Sequence, residues 1–376
     1  AQGDVRTYYN ALVEEMNRSG GVAGRRLVPA YYDLTNSSAS AGDQANAQCQ
    51  HWAYDVKAFV FLEASSELAR SCAEQHGMLS FSGGGSAVTK TFTRYPHYLE
   101  PSGVALEDYE GATVSGLAKT DYYGKAPVIG IVTWDDRNFR AAVANGMVTE
   151  LAKLGFKPKV VAYVRVPESE AAAADSSAAI SNAILKFRQE GVTHAFVMDG
   201  PAGLCLGTCM TLVWIRAASS QAYYPKYGMN DLNSPQAGID SGFWGPNDVK
   251  GARAVTVSNY HDQTDAGIAK NPRRIDCLAL MKRHGMVPDN VNAQVAMLYA
   301  CDNIWFLRAV LGTTRTAVNR DRFVALAEKL GTTYRSPMTY RNKLSATRHY
   351  GVAGYRRMAM DDGCGCFTYI SGIYAR

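Results

Sequence analysis

Between Val128 and Met229, short continuous apolar runs alternate with amphipathic stretches, and no other feature constrains the fold of this chain as strongly. Val128-Ile129-Gly130-Ile131-Val132 has no polar face, as a strand covered by helices on both sides requires. The stretch after it places Phe139, Val143, Met147, Leu151 and Leu154 on one helical face and stops at Gly155. Val160–Val164 reads as the next strand, and a helix carrying Ile180, Ile184 and Phe187 ends at Gly191. Strand His194–Met198, a helix around Leu212–Ala218 and strand Tyr227-Gly228-Met229 follow. Strands separated by helices of this length run parallel through right-handed crossovers, so the region predicts an α/β, doubly wound parallel sheet.

The N-terminal third repeats the pattern. A helix with Tyr8, Leu12 and Met16 on one stripe stops at Asn17, and Gly20-Gly21 supply the positive φ that ends it. Leu27-Val28-Pro29-Ala30-Tyr31-Tyr32 then alternates like a half-buried strand. Helix 43–53, strand 58–62, helix 66–76 and strand 78–81 come next. After Gly251, strand Ala254–Val257 opens a further segment with helices at 270–284, 292–311 and 320–330, of which 292–311 is apolar on more than one face. The tail from Tyr334 reads as short strands and turns.

Hydrophobic residues make up 47% of the 376 and charged ones 19%, a balance that builds compact cores and excludes a disordered chain. The net charge of +5 is spread along the sequence, and the longest basic clusters, Arg25-Arg26 and Arg356-Arg357, read as solvated surface. No basic run of the kind a nucleic-acid groove needs is present, so no nucleic-acid partner is expected. The most apolar candidate for a membrane span, 194–218, is interrupted by Asp199-Gly200-Pro201.

The stretch from Tyr8 to Asp33, YYNALVEEMNRSGGVAGRRLVPAYYD, resembles the "EEINAAGGVNGRKLELVVYD" region of type I periplasmic binding proteins, the leucine/isoleucine/valine-binding group of ABC-transporter receptors. The resemblance covers nearly the whole chain in order. It implies two doubly wound lobes joined by three crossovers, near 119–122, 250–254 and 334–338. Lobe 1 would be 1–120 plus 253–335, and lobe 2 would be 121–252 plus 336–376. The family's first strand should precede helix 8–17, where only seven residues stand; the expectation is a missing segment of about 15–30 residues rather than a sheet completed another way.

The eight cysteines point to an oxidising, extracytoplasmic compartment, periplasmic or at the cell surface. Cys49 and Cys72 lie on predicted helices flanking strand 58–62, where the resembled family has a disulfide. Cys277 and Cys301 would join two successive helices. Cys205-x3-Cys209 and Cys364-Gly-Cys366 would each close locally or cross-pair; a four-cysteine zinc site is the alternative, without the usual C-x2-C spacing.

Ligands of open parallel sheets bind beyond the carboxyl ends of strands. After strand 58–62 stand Ser65 and Ser66, where the family has a serine/threonine pair. After strand 78–81, Gly84, Gly85 and Ser86 take the place of the family's "S-P-S-A-T" loop, which holds the ligand's α-carboxylate. Helix caps and a flexible turn are the plainer reading of these residues. In the second lobe, Trp134-Asp135-Asp136-Arg137-Asn138-Phe139-Arg140 aligns with the family's "Y-D-D-S-A-Y-G". Asp136 falls within that match, and Phe139 stands at a ligand-touching aromatic position. Arg140 replaces a glycine, which puts a direct transfer of pocket shape in doubt. Asp199-Gly200 and Asp231 follow later strands; each acid would meet an ammonium group or cap a helix or turn.

No nucleophile elbow, metalloprotease helix or Walker loop occurs, the histidines lack metal-ligand spacing, and neither enzymatic activity nor a cofactor is implied. The resemblance implies the solute receptor of an ABC importer, tethered to a cell envelope. It would close two lobes on an amino acid or other small carboxylate and hand it to a membrane permease and ATPase. A ligand-sensing receptor ectodomain or a self-assembling surface protein of the same fold is the alternative, and an enzyme the distant one.

Overall fold

A computed structural model describes residues 5–33, 41–64, 66–83, 87–167, 173–199, 210–257, 271–312, 314 and 316–376. The chain divides into two compact units: unit 1 is Ala1–Val104 with Ala269–Ala353, and unit 2 is Ala105–Ile268 with Gly354–Arg376.

In chain order, unit 1 begins with α1 (Val5–Arg18), α2 (Ala41–Gln50) and a π-helical turn at His51–Val56. Strand β1 (Val60–Phe61), α3 (Glu67–Gln75), β2 (Leu79–Phe81), α4 (Thr89–Arg94) and β3 (Tyr98–Leu99) follow. Unit 2 then supplies α5 (Leu106–Leu117), β4 (Ile129–Trp134), α6 (Arg137–Ala142), α7 (Thr149–Lys153), β5 (Val160–Val164) and α8 (Ala173–Gln189). It continues through β6 (His194–Met198), α9 (Met210–Ser220), β7 (Lys226–Asn230), α10 (Pro235–Asp240) and β8 (Arg253–Thr256). The chain returns to unit 1 for α11 (Pro272–Arg283), α12 (Val291–Leu311) and α13 (Arg320–Lys329), and ends in unit 2 with β9 (Arg356–Asp361) and β10 (Cys366–Tyr369).

The unit 2 sheet has the order β10-β9-β8-β7-β6-β4-β5, parallel from β8 to β5, with β9 and β10 antiparallel at one side. Every residue of β4 is buried, as its continuous apolar run predicts. At Gly130 a side chain would meet the Phe187 ring at 2.4 Å, so glycine lets α8 lie close on the sheet. Unit 1 carries a three-stranded parallel sheet, β1-β2-β3. Its core packs Phe81, Phe306 and Phe323 together, with Phe81 edge-on to Phe306 at 5.3 Å.

Several readings of the sequence change. Residues 27–32 form no strand, since none of the described residues pairs with them, and strand 58–62 shrinks to Val60–Phe61. The segment at 253, grouped with lobe 1 above, belongs to unit 2's sheet, where β8 is clasped between β7 and β9. The divisions fall at 104/105, 268/269 and 353/354 because α5 packs on β7 and β8 and residues 269–353 fold with the first segment. Arg356 and Arg357 lie on β9, half-buried, stacked over Tyr369 at 3.5 Å and Tyr374 at 4.5 Å rather than solvated.

Disulfides join Cys49 to Cys72, Cys277 to Cys301 and Cys364 to Cys366, so the last pair closes locally. Cys205 and Cys209 lie outside the described residues. Among the described residues no helix is long and apolar enough to cross a membrane.

Candidate functional site

At the carboxyl end of β1, Glu63 takes a left-handed backbone (φ 61°) that few residues other than glycine adopt. Its Oε1 accepts from Tyr9 Oη on α1 at 3.0 Å and from Asn303 Nδ2 on α12 at 2.7 Å, which also reaches Tyr9 Oη at 2.7 Å. Sequence reasoning passed over this triad, whose members lie up to 294 positions apart. The first turn of α3 is capped by Ser66, whose Oγ accepts from the Ala69 amide at 3.1 Å. After β2, Gly83 lies under Tyr299 of α12, and a side chain at position 83 would meet that ring at 1.9 Å. Ser102, after β3, donates to the Gly83 carbonyl at 3.2 Å. These contacts draw the loops after β2 and β3 together beside α12. Ser65, Gly84, Gly85 and Ser86 lie outside the described residues.

The candidate acids of unit 2 are occupied by structural bonds. Asp136 caps α6, accepting from the amides of Asn138 at 2.7 Å and Phe139 at 3.4 Å, while Phe139 itself is fully buried. Arg140, in place of the family's glycine, bonds Asp135 at 2.5 Å and lies over the Tyr163 ring. Asp199 accepts from the Thr211 amide at the start of α9, at 2.8 Å. Asp231 accepts from Tyr109 Oη at 2.7 Å, Thr256 Oγ1 at 2.5 Å and the Val257 amide at 2.6 Å. Asn233, on the same turn as Asp231, donates to Thr211 Oγ1 at 2.8 Å and to the Val197 carbonyl at 2.6 Å. Asp199 thus stands at the end of β6 and Asp231 at the end of β7, each held by its own set of bonds. Asp136 and Phe139 stand at the end of β4. Gly200 lies outside the described residues.

Burial raises the pKa of three carboxyls near these strand ends. Glu100 is pushed up to about 7, against hydrogen bonding from Tyr98 and the charge of Arg70. Glu110 is likewise pushed up to about 7, opposed by Asn230, and its Oε2 finds no partner among the described residues. Asp302 rises to about 6 through burial, against the hydroxyls of Tyr334, Ser102 and Ser336. Each binds more protons folded than unfolded between its ordinary value and its raised one. Their contribution is therefore complete below about pH 4 and is lost as pH climbs through 6 to 7. The urea midpoint is expected to be higher near pH 5 than near pH 8, and Glu110→Gln to flatten that slope; a midpoint rising with pH would contradict it.

No protein-family model matches the chain, and no curated protein matches its sequence. Solved structures do match along its length. A solute-binding protein of an ABC transporter from Rhodopseudomonas palustris BisB5, in complex with 3,4-dihydroxybenzoic acid, is 13% identical with a TM-score of 0.69, over 100% of this chain and 94% of that one. The fold is that of type I periplasmic binding proteins. A second R. palustris solute-binding protein, in complex with 4-hydroxybenzoate, matches at 13% identity and a TM-score of 0.70, over 99% of this chain and 92% of that one. A branched-chain amino acid ABC transporter protein from Thermus thermophilus with bound valine matches at 14% and 0.66, with the same coverage. The periplasmic-binding-protein fold places loops at strand carboxyl ends, the positions that the Glu63, Gly83 and Asp231 clusters brace here.

Proposed function

We propose that this chain is an extracytoplasmic solute-binding protein that captures a small organic carboxylate for an ABC importer. The observation that carries the reading is the end-to-end match to chains solved with small acids bound. Their ligands, hydroxybenzoates and valine, share a carboxylate. The reading assigns that carboxylate to Ser65, Ser66, Gly84, Gly85 and Ser86; Gly83, at the start of the second group, is held by Ser102 and lies under Tyr299. Backbone amides of a glycine run suit an anion without a fixed cation. Binding and release involve no chemical step; a permease and its ATPase are the partners, and the disulfides suit an oxidising compartment.

The test is a thermal-shift and calorimetry panel of leucine, valine, 4-hydroxybenzoate and 3,4-dihydroxybenzoate, with mass spectrometry of solute released on denaturation. A true ligand at about 100 times its Kd stabilises the chain by about 2.7 kcal/mol. Ser86→Ala is expected to weaken that ligand about tenfold with the fold unchanged. Silence across the panel with no released solute sinks the reading; unchanged affinity in Ser86→Ala sinks only the assignment of the loop.

A further inference from the structure

Among the described disulfides, Cys277–Cys301 joins two fully buried sulfurs on α11 and α12, and Cys49–Cys72 joins a half-buried residue to a buried one. A thiol reaches bridges of this kind through openings of the packed helices. Cys364–Cys366 stands instead at the tip of the hairpin between β9 and β10, with Cys364 exposed. Cys366 opens β10, opposite Asp361 of β9, and is 9% exposed. The tip is tied at its base. Gly365 N–H donates to the Asp361 carbonyl at 2.9 Å, and the Phe367 amide donates to Gln236 Oε1 of α10 at 2.7 Å. Gly365 has a left-handed backbone (φ 63°), and a side chain there would meet Pro246 at 3.1 Å. One sulfur is thus anchored in the sheet and the other is presented to solvent. A bridge closing so short a loop adds little to the fold, and exposed bridges are the readily exchanged ones.

The turn that carries the bridge is acidic. Asp361 and Asp362 are both exposed, and Asp361 Oδ1 accepts from the Gly363 amide at 2.7 Å, which keeps its carboxylate at the turn. Lys250 answers Asp362 at 3.6 Å, in an exposed pair that water and salt weaken. We infer that Cys364–Cys366 is a site of thiol–disulfide exchange, and that its preferred reductant is a dithiol with positive charge beside its sulfurs. The reductant's first thiol, having lost its proton, bonds to the exposed Cys364 Sγ. The Cys364–Cys366 bond breaks, and its electron pair leaves on Cys366 Sγ, which takes up a proton. The second thiol, deprotonated in turn, attacks the reductant's own sulfur and displaces Cys364 as a thiolate, which is protonated. Two electrons and two protons thus pass from the dithiol, now a disulfide, to the bridge, now two thiols. A monothiol performs the first step alone.

The test treats the native chain with dithiothreitol, cysteamine or 2-mercaptoethanesulfonate, quenches with N-ethylmaleimide and maps the peptides by mass spectrometry. Dithiothreitol should open Cys364–Cys366 at least about tenfold faster than Cys277–Cys301 or Cys49–Cys72. Early products of cysteamine should carry it on Cys364 and the maleimide on Cys366. Each monothiol's rate is divided by its rate on neutral hydroxyethyl disulfide, which removes the difference in intrinsic reactivity. At about 10 mM salt cysteamine should then lead the sulfonate about fivefold, and the lead should vanish near about 0.5 M. Asp362→Lys, on the surface, should erase the lead at low salt, with the fold confirmed by circular dichroism. Equal opening rates for the bridges, or Cys364 found joined to a different cysteine, would overturn the site. A sulfonate as fast as cysteamine at low salt would overturn the charge of its reductant.

Discussion

Asp231→Ala is expected to lower the unfolding free energy of unit 2 by about 3–4 kcal/mol, although Asp231 stands where a ligand-binding acid was anticipated. Its carboxylate serves two hydroxyls and one amide, all buried. Alanine strands the Val257 N–H, which is fixed by its backbone and has no room to turn elsewhere. Tyr109 retains a fallback, since its hydroxyl lies 3.4 Å from the Val255 carbonyl. Asparagine restores only part of the loss, because its amide nitrogen faces a donor. Urea unfolding followed by far-ultraviolet circular dichroism measures the change. Should the midpoint hold while ligand binding vanishes, the residue serves the solute and not the fold.

Removing the Cys277–Cys301 bridge should destabilise unit 1 by about 3.5 kcal/mol, the chain entropy expected for a loop of this length. The bridge ties α11 to α12 across 24 positions, and both sulfurs are fully buried. Paired alanine substitution avoids burying new hydroxyls. The same treatment of Cys364–Cys366, separated by 2 positions, frees little chain and should cost only about 1–1.5 kcal/mol. Guanidinium melts without reductant compare the two directly; equal losses would contradict the entropic account.

The sequence was legible where each segment carries its own pattern. Strands β4 and β6 are buried throughout and so read as largely apolar runs, independent of distant contacts. Residues 27–32 alternate as a strand should, yet a strand exists only with a partner, and alternation says nothing of one. The tail read as short strands and turns, but its arginines look like surface until tyrosines are found beneath them. Asp231 was visible as an acid after a strand, but Tyr109, 122 positions earlier, gave no local sign of holding it. The same distance hid Glu63's partners, and no periodicity marks an acid with a left-handed backbone.

The three passages between units also set an order for biosynthesis. While the ribosome is still making residues 269–353, β8 is the outermost strand of a nascent sheet whose cover, β9, does not yet exist. During that interval the edge stands uncovered, and an uncovered strand will pair with whatever chain it meets.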